Sequence, residues 1–302
     1  MAITYNILNR KGGVGKTETA LNMAYGLSQA GYKTLFIPLD PQANGQSTLL
    51  KDDNEVSEQD AINIREWYDE CKDVNGILKS YKALASRGFT KERKYQTDIN
   101  DVLKKPILVK DAIYKTKYPN LDIIPASDEL SMTDGFLKLS GKNPSAKLRT
   151  ALSYVDNDYD VIIIDNSPFE SSLTYNGVCA CCHEGDTIIV PLNISDRSIN
   201  GLGATIEILI EWIKEERLPY DVKLLITLKQ RNKINEEWIK TLRHIFPERV
   251  FKQEIRFQGK PVELAALNNR ILLEDPLTSG VKEDYQKFLH EIMEDLQSKL
   301  GH

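Results

Sequence analysis

Short apolar runs alternate along the chain with longer amphipathic stretches. The first run, Ile3 to Leu8, leads through a glycine-rich turn into a stretch whose apolar residues recur every three or four positions until Gly31. The run is typical of a buried strand, and the repeating pattern is typical of a helix. The chain therefore begins with a strand, a glycine loop and a helix, whose apolar face carries Ala20, Leu21, Ala24 and Leu27.

The same alternation continues to the end of the chain. Unbroken apolar runs separated by helical patterns are typical of strands buried on both faces of a parallel sheet. We therefore expect an α/β fold, a doubly wound and mainly parallel sheet with helices on both faces. The further predicted strands are Thr34 to Leu39, Leu121 to Pro125, Val161 to Asp165, Thr187 to Pro191 and Val222 to Ile226. Further helices are predicted at Ser145 to Val155, along the seam of Ile199, Leu202, Ile206, Leu209 and Ile213, and at Val281 to Leu300.

One polar segment interrupts this alternation. Residues from Lys51 to about Thr97 are acidic in the first half and basic in the second, with enough apolar residues for a short helical hairpin. A length of 302 residues suits one large α/β domain or two small ones. We expect a single domain, 1–302, with a helical insertion at about 51–97.

The glycine-rich loop has the composition of a phosphate cradle. Its glycines allow successive backbone N–H groups to point at one phosphate, and the following helix adds the positive end of its dipole. Lys16 would reach the β- and γ-phosphates of a nucleoside triphosphate, and the Thr17 hydroxyl would bind Mg²⁺. The expected nucleotide-binding residues are Lys11, Gly12, Gly13, Val14, Gly15, Lys16, Thr17 and Glu18.

Two carboxylates follow predicted strands. Asp40 comes directly after the second strand, and Asp165 closes the apolar run that begins at Val161. Ligands of open α/β sheets bind at the carboxyl ends of the strands, so both carboxylates are expected to face the phosphates. Asp165 is predicted to bind Mg²⁺ through its water shell, and Asp40 to hold a metal-bound water or to orient the attacking one.

The loop departs from the common pattern G-x-x-x-x-G-K-[ST], because Arg10 stands at the first glycine position and Lys11 follows it. This string resembles the deviant Walker A loop of the ParA/MinD family of P-loop ATPases, and is most similar to the ParA/Soj-type partition proteins. The resemblance implies an ATP-sandwiched homodimer in which Lys11 reaches the partner's phosphates. It also implies that ATP and Mg²⁺ are the cofactors and that Lys11, Lys16 and Asp40 serve hydrolysis.

Two positions differ from the family pattern. The family carries D-x-D-P-Q-x-N at the second strand end, where Pro38 replaces the first aspartate and Asp40 matches the second. It usually carries D-x-P-P after the later strand, where Ser167 replaces the first proline. The magnesium role of Asp165 is unaffected by this change, whereas the rigidity of the second loop and the contribution of the missing carboxylate stay open.

Charge is segregated along the chain. The net charge is −5, yet between Lys214 and Arg270 there are 13 Lys and Arg against 8 Asp and Glu. Clustered cations can neutralise DNA phosphates without reading sequence, although most surface charge is merely solvated. The family resemblance implies non-specific DNA binding by this half of the chain. The candidate residues are Arg231, Lys233, Lys240, Arg243, Arg256 and Lys260.

The resemblance also implies a partition cycle. The ATP-bound dimer would bind DNA and leave it after hydrolysis, which is slow until a ParB-like, centromere-bound partner stimulates it. No apolar run approaches the roughly 20 residues that span a bilayer, and no signal peptide is recognisable. We therefore expect a cytoplasmic protein that associates with the nucleoid when ATP is bound.

Two alternatives come from other functional classes. A MinD-like membrane-cycling ATPase would need a basic interfacial helix, whereas the terminal helix carries five acidic residues against three lysines. We expect that helix to dock onto the sheet. An iron-sulfur ATPase of the nitrogenase iron-protein type is suggested only by Cys179, Cys181 and Cys182 beside His183. Such a compact group on an apolar segment is more often small buried filler than a metal site.

Overall fold

The computed structural model describes residues 1–41, 45–50, 95–127, 129–139, 146–168, 170–194 and 196–301, with the backbone alone at 196–201. Outside residues 51–96, the described chain forms one compact unit. The insertion predicted at about 51–97 lies outside the described residues except for its last three positions. The predicted domain organisation therefore stays a prediction.

Seven strands of the described chain form a single sheet. In chain order they are β1 (Ile3–Ile7), β2 (Thr34–Leu39), β3 (Tyr114–Lys115), β4 (Leu121–Ile123), β5 (Val161–Asn166), β6 (Thr187–Asn193) and β7 (Asp221–Thr227). Their order across the sheet is β3-β4-β2-β5-β1-β6-β7, and all neighbours are parallel except β3 and β4. The predicted fold class, a mainly parallel α/β sheet, is confirmed.

Helices connect the strands. They are α1 (Lys16–Gln29), α2 (Gln46–Leu49), α3 (Ile99–Lys104), α4 (Leu130–Leu139), α5 (Lys147–Leu152), α6 (Ser172–Ala180), α7 (Asp196–Glu216), α8 (Lys233–Ile245), α9 (Gly259–Leu267) and α10 (Gly280–Leu300), with a 3-10 helix at Pro106–Ala112. The helix predicted to reach Val155 ends at Leu152, where a hydrogen bond from the Val155 amide to the Leu152 carbonyl tightens the last turn. The Asp and Asn residues that follow favour such a turn over a further helical turn.

Pro38 lies in β2 just beyond the point where the pairing of this strand with β4 ends. The Phe36 carbonyl accepts from the Ile124 amide, so the hydrogen-bonding groups of Phe36 and, two residues later, of Pro38 point toward the β4 side. The hydrogen bonds between β2 and β5 are made by the alternate residues of β2, so the absent amide hydrogen of proline removes none of them, and the pairing with β4 stops before this point.

The terminal helix docks onto the sheet as predicted: Tyr5 of β1 donates a hydrogen bond to Asp295, and Lys299 donates one to Thr187 of β6. In α10, Phe288, Ile292 and Leu296 are fully buried. The helix crosses α1 at Gly26, where an added Cβ would lie 2.1 Å from Leu289 Cδ1. The apolar face of α10 is thus covered by this chain's own core. No helix within the described ranges has the length and apolar character needed to traverse a bilayer.

Candidate nucleotide-binding site

The loop between β1 and α1 has the backbone shape of an anion cradle. Gly13 and Gly15 adopt left-handed conformations, with φ angles of 69° and 83°, which residues with a Cβ rarely adopt. The α1 N-terminus has no side-chain cap. Its first amide groups are therefore available to an anion, and the helix dipole favours a negative charge there.

Buried polar side chains hold this loop against the sheet. Asn9 accepts a hydrogen bond from the Lys11 amide at 2.9 Å and donates to the Pro191 carbonyl at 2.7 Å. The Thr227 hydroxyl donates to the Val14 carbonyl at 2.8 Å. The loop is thus fixed to β6 and β7. Sequence reasoning missed Asn9, although a polar residue directly after a buried apolar strand was a usable signal.

Lys16, the first residue of α1, follows the loop directly and is only 6% exposed. Its Nζ donates to the Lys11 carbonyl at 3.0 Å. Burial lowers the pKa of Lys16, and the nearby carboxylates of Asp165 and Asp40 oppose that effect. The structure therefore brings together Lys16 and both predicted carboxylates.

The sheet order explains the position of Asp165. Strand β5 lies between β1 and β2, with Asp165 in register with Ile7 on one side and Pro38 on the other. The carboxylate accepts a hydrogen bond from the Thr17 side chain. Burial raises the pKa of Asp165 to about 7, while the Thr17 hydrogen bond and the Lys16 charge lower it.

The residues around Asp165 fit a magnesium site. Its Oδ1 is buried without a hydrogen-bond partner among the described residues, beside the Thr17 side chain. A buried carboxylate oxygen without a partner is costly unless a cation or a water completes it. Hydroxyl and carboxylate oxygens are the ligands that Mg²⁺ prefers. This part of the site therefore accommodates the metal predicted from the sequence.

The two other predicted catalytic residues lie at the edges of this group. Asp40, partly buried, directly follows β2 and acts electrostatically on both Lys16 and Asp165. Lys11, also partly exposed, contributes its backbone amide and carbonyl to the loop contacts described above.

A second loop, after β5, contacts the phosphate loop. Arg10 forms an ion pair with Glu170 at 3.1 Å. The Ser172 amide, at the start of α6, donates to Asp134 of α4 at 2.7 Å. The ion pair links the two loops, and the hydrogen bond links α6 to α4. Sequence reasoning missed these contacts because the partners are far apart in the chain.

A cavity of about 240 Å³ adjoins the phosphate loop. It lies between the loop, the end of β7 and the start of α9 and α10. The segment around Lys260, Pro261 and Glu263 contributes Glu263 to the cavity, whereas Lys260 is exposed. The cavity is lined by Gly13, Gly15, Glu18, Thr227, Leu228, Ile255, Arg256, Phe257, Gln258, Gly259, Val262, Glu263, Val281 and Tyr285.

The six candidate DNA-binding cations fall into two groups. Four of them, Arg231, Lys233, Lys240 and Lys260, are exposed. The other two are held by carboxylates. Arg243 pairs with Glu254 at 2.9 Å, and Arg256 forms two hydrogen bonds with Asp284. The first group is therefore better placed than the second to meet a phosphate backbone.

The cysteine segment lies in the apolar core. Cys179 and Cys181 are buried and belong to a cluster that includes Ile188 and Leu202. Burial raises the pKa of Cys179 to about 12 and that of Cys181 well above its usual range. Metals bind the thiolate form, which burial disfavours at these two positions.

Known proteins resemble this chain over nearly its whole length. A family model described as an AAA domain, AAA_31, matches residues 3–224. The chromosome partitioning protein ParA of Caulobacter vibrioides is 29% identical over 292 residues, which cover 95% of this chain and 92% of that protein.

Solved structures share the fold. The ATP complex of a McdA variant from Cyanothece has a TM-score of 0.70 at 20% identity, and the match covers 99% of this chain and 96% of that one. Cobyrinic acid a,c-diamide synthase from Mycobacterium smegmatis, with an ATP analogue and magnesium bound, has a TM-score of 0.69 at 20% identity, covering 100% and 98%. At this identity the likeness shows the fold.

Proposed function

The chain belongs to the AAA_31 family and is a P-loop ATPase of the ParA/MinD type, and from this premise we propose that it is a ParA-type DNA-partition ATPase. In the proposed cycle an ATP-bound homodimer binds DNA non-specifically and leaves it after hydrolysis. The observation that carries the proposal is the convergence of Lys16, Asp40 and Asp165 on one glycine loop that carries a second lysine, Lys11.

The nucleotide would bind through the loop. Amide groups of the loop and of the α1 N-terminus would surround the β-phosphate, and Lys16 would exchange the Lys11 carbonyl for phosphate oxygens. Thr17 and Asp165 would hold Mg²⁺, the carboxylate through water. When bound, the metal neutralises charge on the β- and γ-phosphates. The magnesium and ATP in the solved structures with this fold support the assignment.

Asp40 is the residue that we assign to hydrolysis. Its position after β2, next to Lys16 and Asp165, suits a carboxylate that orients a water molecule in line with the γ-phosphate. Attack by that water breaks the bond between the γ-phosphorus and the bridging oxygen, and ADP and phosphate are the products. Positioning rather than covalent chemistry supplies most of the catalysis in such reactions, so turnover is slow until a partner orders the site.

Lys11 is the residue that we assign to the dimer. A lysine in a glycine loop, beside a site for a triphosphate, has its most favourable electrostatic energy when a phosphate neutralises its charge. In an ATP-sandwiched dimer each Lys11 would contact the partner's nucleotide, so ATP would favour the dimer by a contact that the monomer lacks. This role follows from the resemblance to ParA proteins and is supported by the position of Lys11 at the loop entrance.

DNA binding is assigned to the exposed cations near α8. Arg231 and Lys233 stand at the start of this helix, Lys240 lies within it, and Lys260 lies in α9. Cations of this kind bind phosphates without base readout. A ParB-like, centromere-bound partner would stimulate hydrolysis and so release the dimer. The protein would then be cytoplasmic and associated with the nucleoid while ATP is bound.

The proposal is tested by measuring DNA binding in three nucleotide states. Fluorescence anisotropy with duplexes of two unrelated sequences, over a salt series, would be recorded with Mg-ATP, with Mg-ADP and without nucleotide. We expect binding with Mg-ATP that is equal for both sequences and weakens steeply as salt rises. Equal DNA affinity in the three nucleotide states, or no DNA binding in any of them, would contradict the proposed cycle.

A further inference from the structure

Glu18 lies where the phosphate loop meets the adjoining cavity. It belongs to the first turn of α1, two residues after Lys16, and lines the cavity together with Gly13, Gly15 and Tyr285. A carboxylate is an unexpected neighbour for a phosphate group, because like charges repel. Its side chain instead lines the cavity that adjoins the loop.

A buried asparagine fixes this carboxylate. Asn22, which is fully buried, donates to Glu18 Oε1 at 2.7 Å and to the Glu18 carbonyl at 2.8 Å. Asn22 is oriented in turn by the Leu273 amide, which donates to its Oδ1 at 3.1 Å. Across the described residues, Glu18 Oε2 receives no hydrogen bond. One oxygen of an oriented carboxylate is therefore left to accept a hydrogen bond from a ligand in the cavity.

We propose that Glu18 accepts a hydrogen bond from a ribose hydroxyl of the bound nucleotide, so that the site selects ribonucleotides over deoxyribonucleotides. This inference rests on the proposed function, because it requires the triphosphate to occupy the loop. In a nucleoside triphosphate the sugar directly follows the α-phosphate, and the base lies farther on. With the phosphates on the loop, the sugar therefore enters the cavity at Glu18, and its hydroxyls are the first donors available there.

Selectivity follows from the way the carboxylate is held. An acceptor that Asn22 has already oriented gains a charge-assisted hydrogen bond from a hydroxyl at little entropic cost. A sugar that lacks this hydroxyl leaves the Oε2 atom desolvated without a partner. Such a loss corresponds to about a tenfold or greater weakening of binding.

The test is a calorimetric comparison of four Mg²⁺ complexes, those of ATP, 2′-deoxy-ATP, 3′-deoxy-ATP and inorganic tripolyphosphate. The wild-type protein is expected to bind ATP at least about tenfold more tightly than one or both deoxy analogues. In Glu18→Gln, and in the shorter Glu18→Thr, that difference should shrink to about twofold or less, because neither side chain presents the charged acceptor. Glu211→Gln, the same change at an exposed carboxylate of α7 outside the cavity, should keep the full difference.

Equal wild-type affinity for ATP and both deoxy analogues would overturn the inference, and this measurement needs no variant. An undiminished difference in a folded Glu18 variant would overturn it as well. Tripolyphosphate separates this failure from failure of the proposed function. A wild-type protein that binds tripolyphosphate without sugar selectivity refutes only the role of Glu18, whereas one that binds neither tripolyphosphate nor ATP refutes the phosphate site itself.

Discussion

The ammonium group of Lys16 donates a hydrogen bond to the backbone carbonyl of Lys11 at 3.0 Å. One lysine of the loop is thereby held by the backbone of the other. Because Lys16 is almost completely buried, it needs this acceptor or a better one, and phosphate oxygens are a better one. The contact therefore holds the Lys16 ammonium group at the place where the phosphates of the proposed nucleotide would bind.

Replacing Lys16 tests the phosphate cradle. In Lys16→Ala we expect affinity for Mg-ATP to fall by about 100-fold or more, because two or more charge-assisted hydrogen bonds to the phosphates can no longer form. The Lys16 charge is buried and therefore poorly solvated, and burial lowers the pKa of Lys16, so the fold should tolerate its removal. Isothermal titration calorimetry measures the affinity, and circular dichroism checks the fold. If the folded variant keeps its affinity for Mg-ATP, the loop is not the phosphate-binding site.

The proposed role of Asp40 in hydrolysis can be distinguished by kinetics from a role in nucleotide binding. Asp40→Asn should bind Mg-ATP within a few-fold of the wild type yet release phosphate about 100-fold more slowly, since an amide orients the attacking water less well than a carboxylate. Single-turnover phosphate release gives the rate, and calorimetry gives the affinity. Normal turnover in this variant would mean that another group positions the water.

The DNA surface predicts a charge effect that depends on position. Arg231→Ala and Lys240→Ala should each weaken binding equally for all sequences. Each should also reduce the slope of log affinity against log salt by about 1, because one DNA phosphate is no longer neutralised. Lys287→Ala, an exposed change of the same charge on α10, is the matched control and should leave the slope unchanged. If all three variants keep the wild-type slope, the DNA surface lies elsewhere.

The ion pairs of Asp295 should make the stability of the fold depend on pH. It accepts hydrogen bonds from Lys223 at 2.8 Å and from Tyr5 at 3.0 Å, and lies 2.6 Å from the Lys299 ammonium. Burial raises the pKa of Asp295, but the two lysines outweigh burial and leave it below its usual value. A lowered carboxyl pKa stabilises the folded state above the unfolded pKa of about 4, and this contribution is lost as pH falls through the lower, folded value.

We therefore expect Asp295→Asn to lower the free energy of unfolding by about 1–3 kcal/mol at pH 7. The gap between the unfolding free energies of wild type and variant should narrow below about pH 4, as the carboxylate becomes protonated first in the unfolded state and, at lower pH, in the folded state. Urea unfolding at several pH values measures both effects. Glu294→Gln, a change at an exposed neighbour, is the control. A gap that stays constant down to pH 2 would show that the ion pairs do not stabilise the fold.

The sequence was sufficient for the six parallel strands and for the groups at their carboxyl ends, whereas the short antiparallel strand β3 was not predicted. Unbroken apolar runs such as the one before Asp165 predicted parallel strands, and parallel strands bring their carboxyl ends to one edge. Asp40, Asp165 and the loop could therefore be placed together without coordinates. Local rules determine this part of the molecule, because each residue is positioned by the strand that precedes it.

Contacts between distant parts of the chain could not be predicted from the sequence. Asn9 bonds to Pro191, and Asn22 bonds to the Leu273 amide, and neither pairing leaves a periodic pattern. The ion pairs of Arg243 and Arg256 with Glu254 and Asp284 were missed for the same reason, so both arginines looked as available to DNA as Arg231. Side-chain partners of this kind follow from packing, which a single sequence does not reveal.

The account depends most on the ATP-dependent dimer, and its mass in solution tests that dimer directly. Light scattering coupled to size exclusion, with Mg²⁺ and a non-hydrolysable ATP analogue, should give the wild type twice its 34.3 kDa chain mass. Lys11→Ala should bind the analogue yet elute as a monomer, while Lys33→Ala, a surface lysine change, should still dimerise. A wild type that stays monomeric with the analogue bound, or a Lys11→Ala variant that dimerises as well as the wild type, would contradict the account.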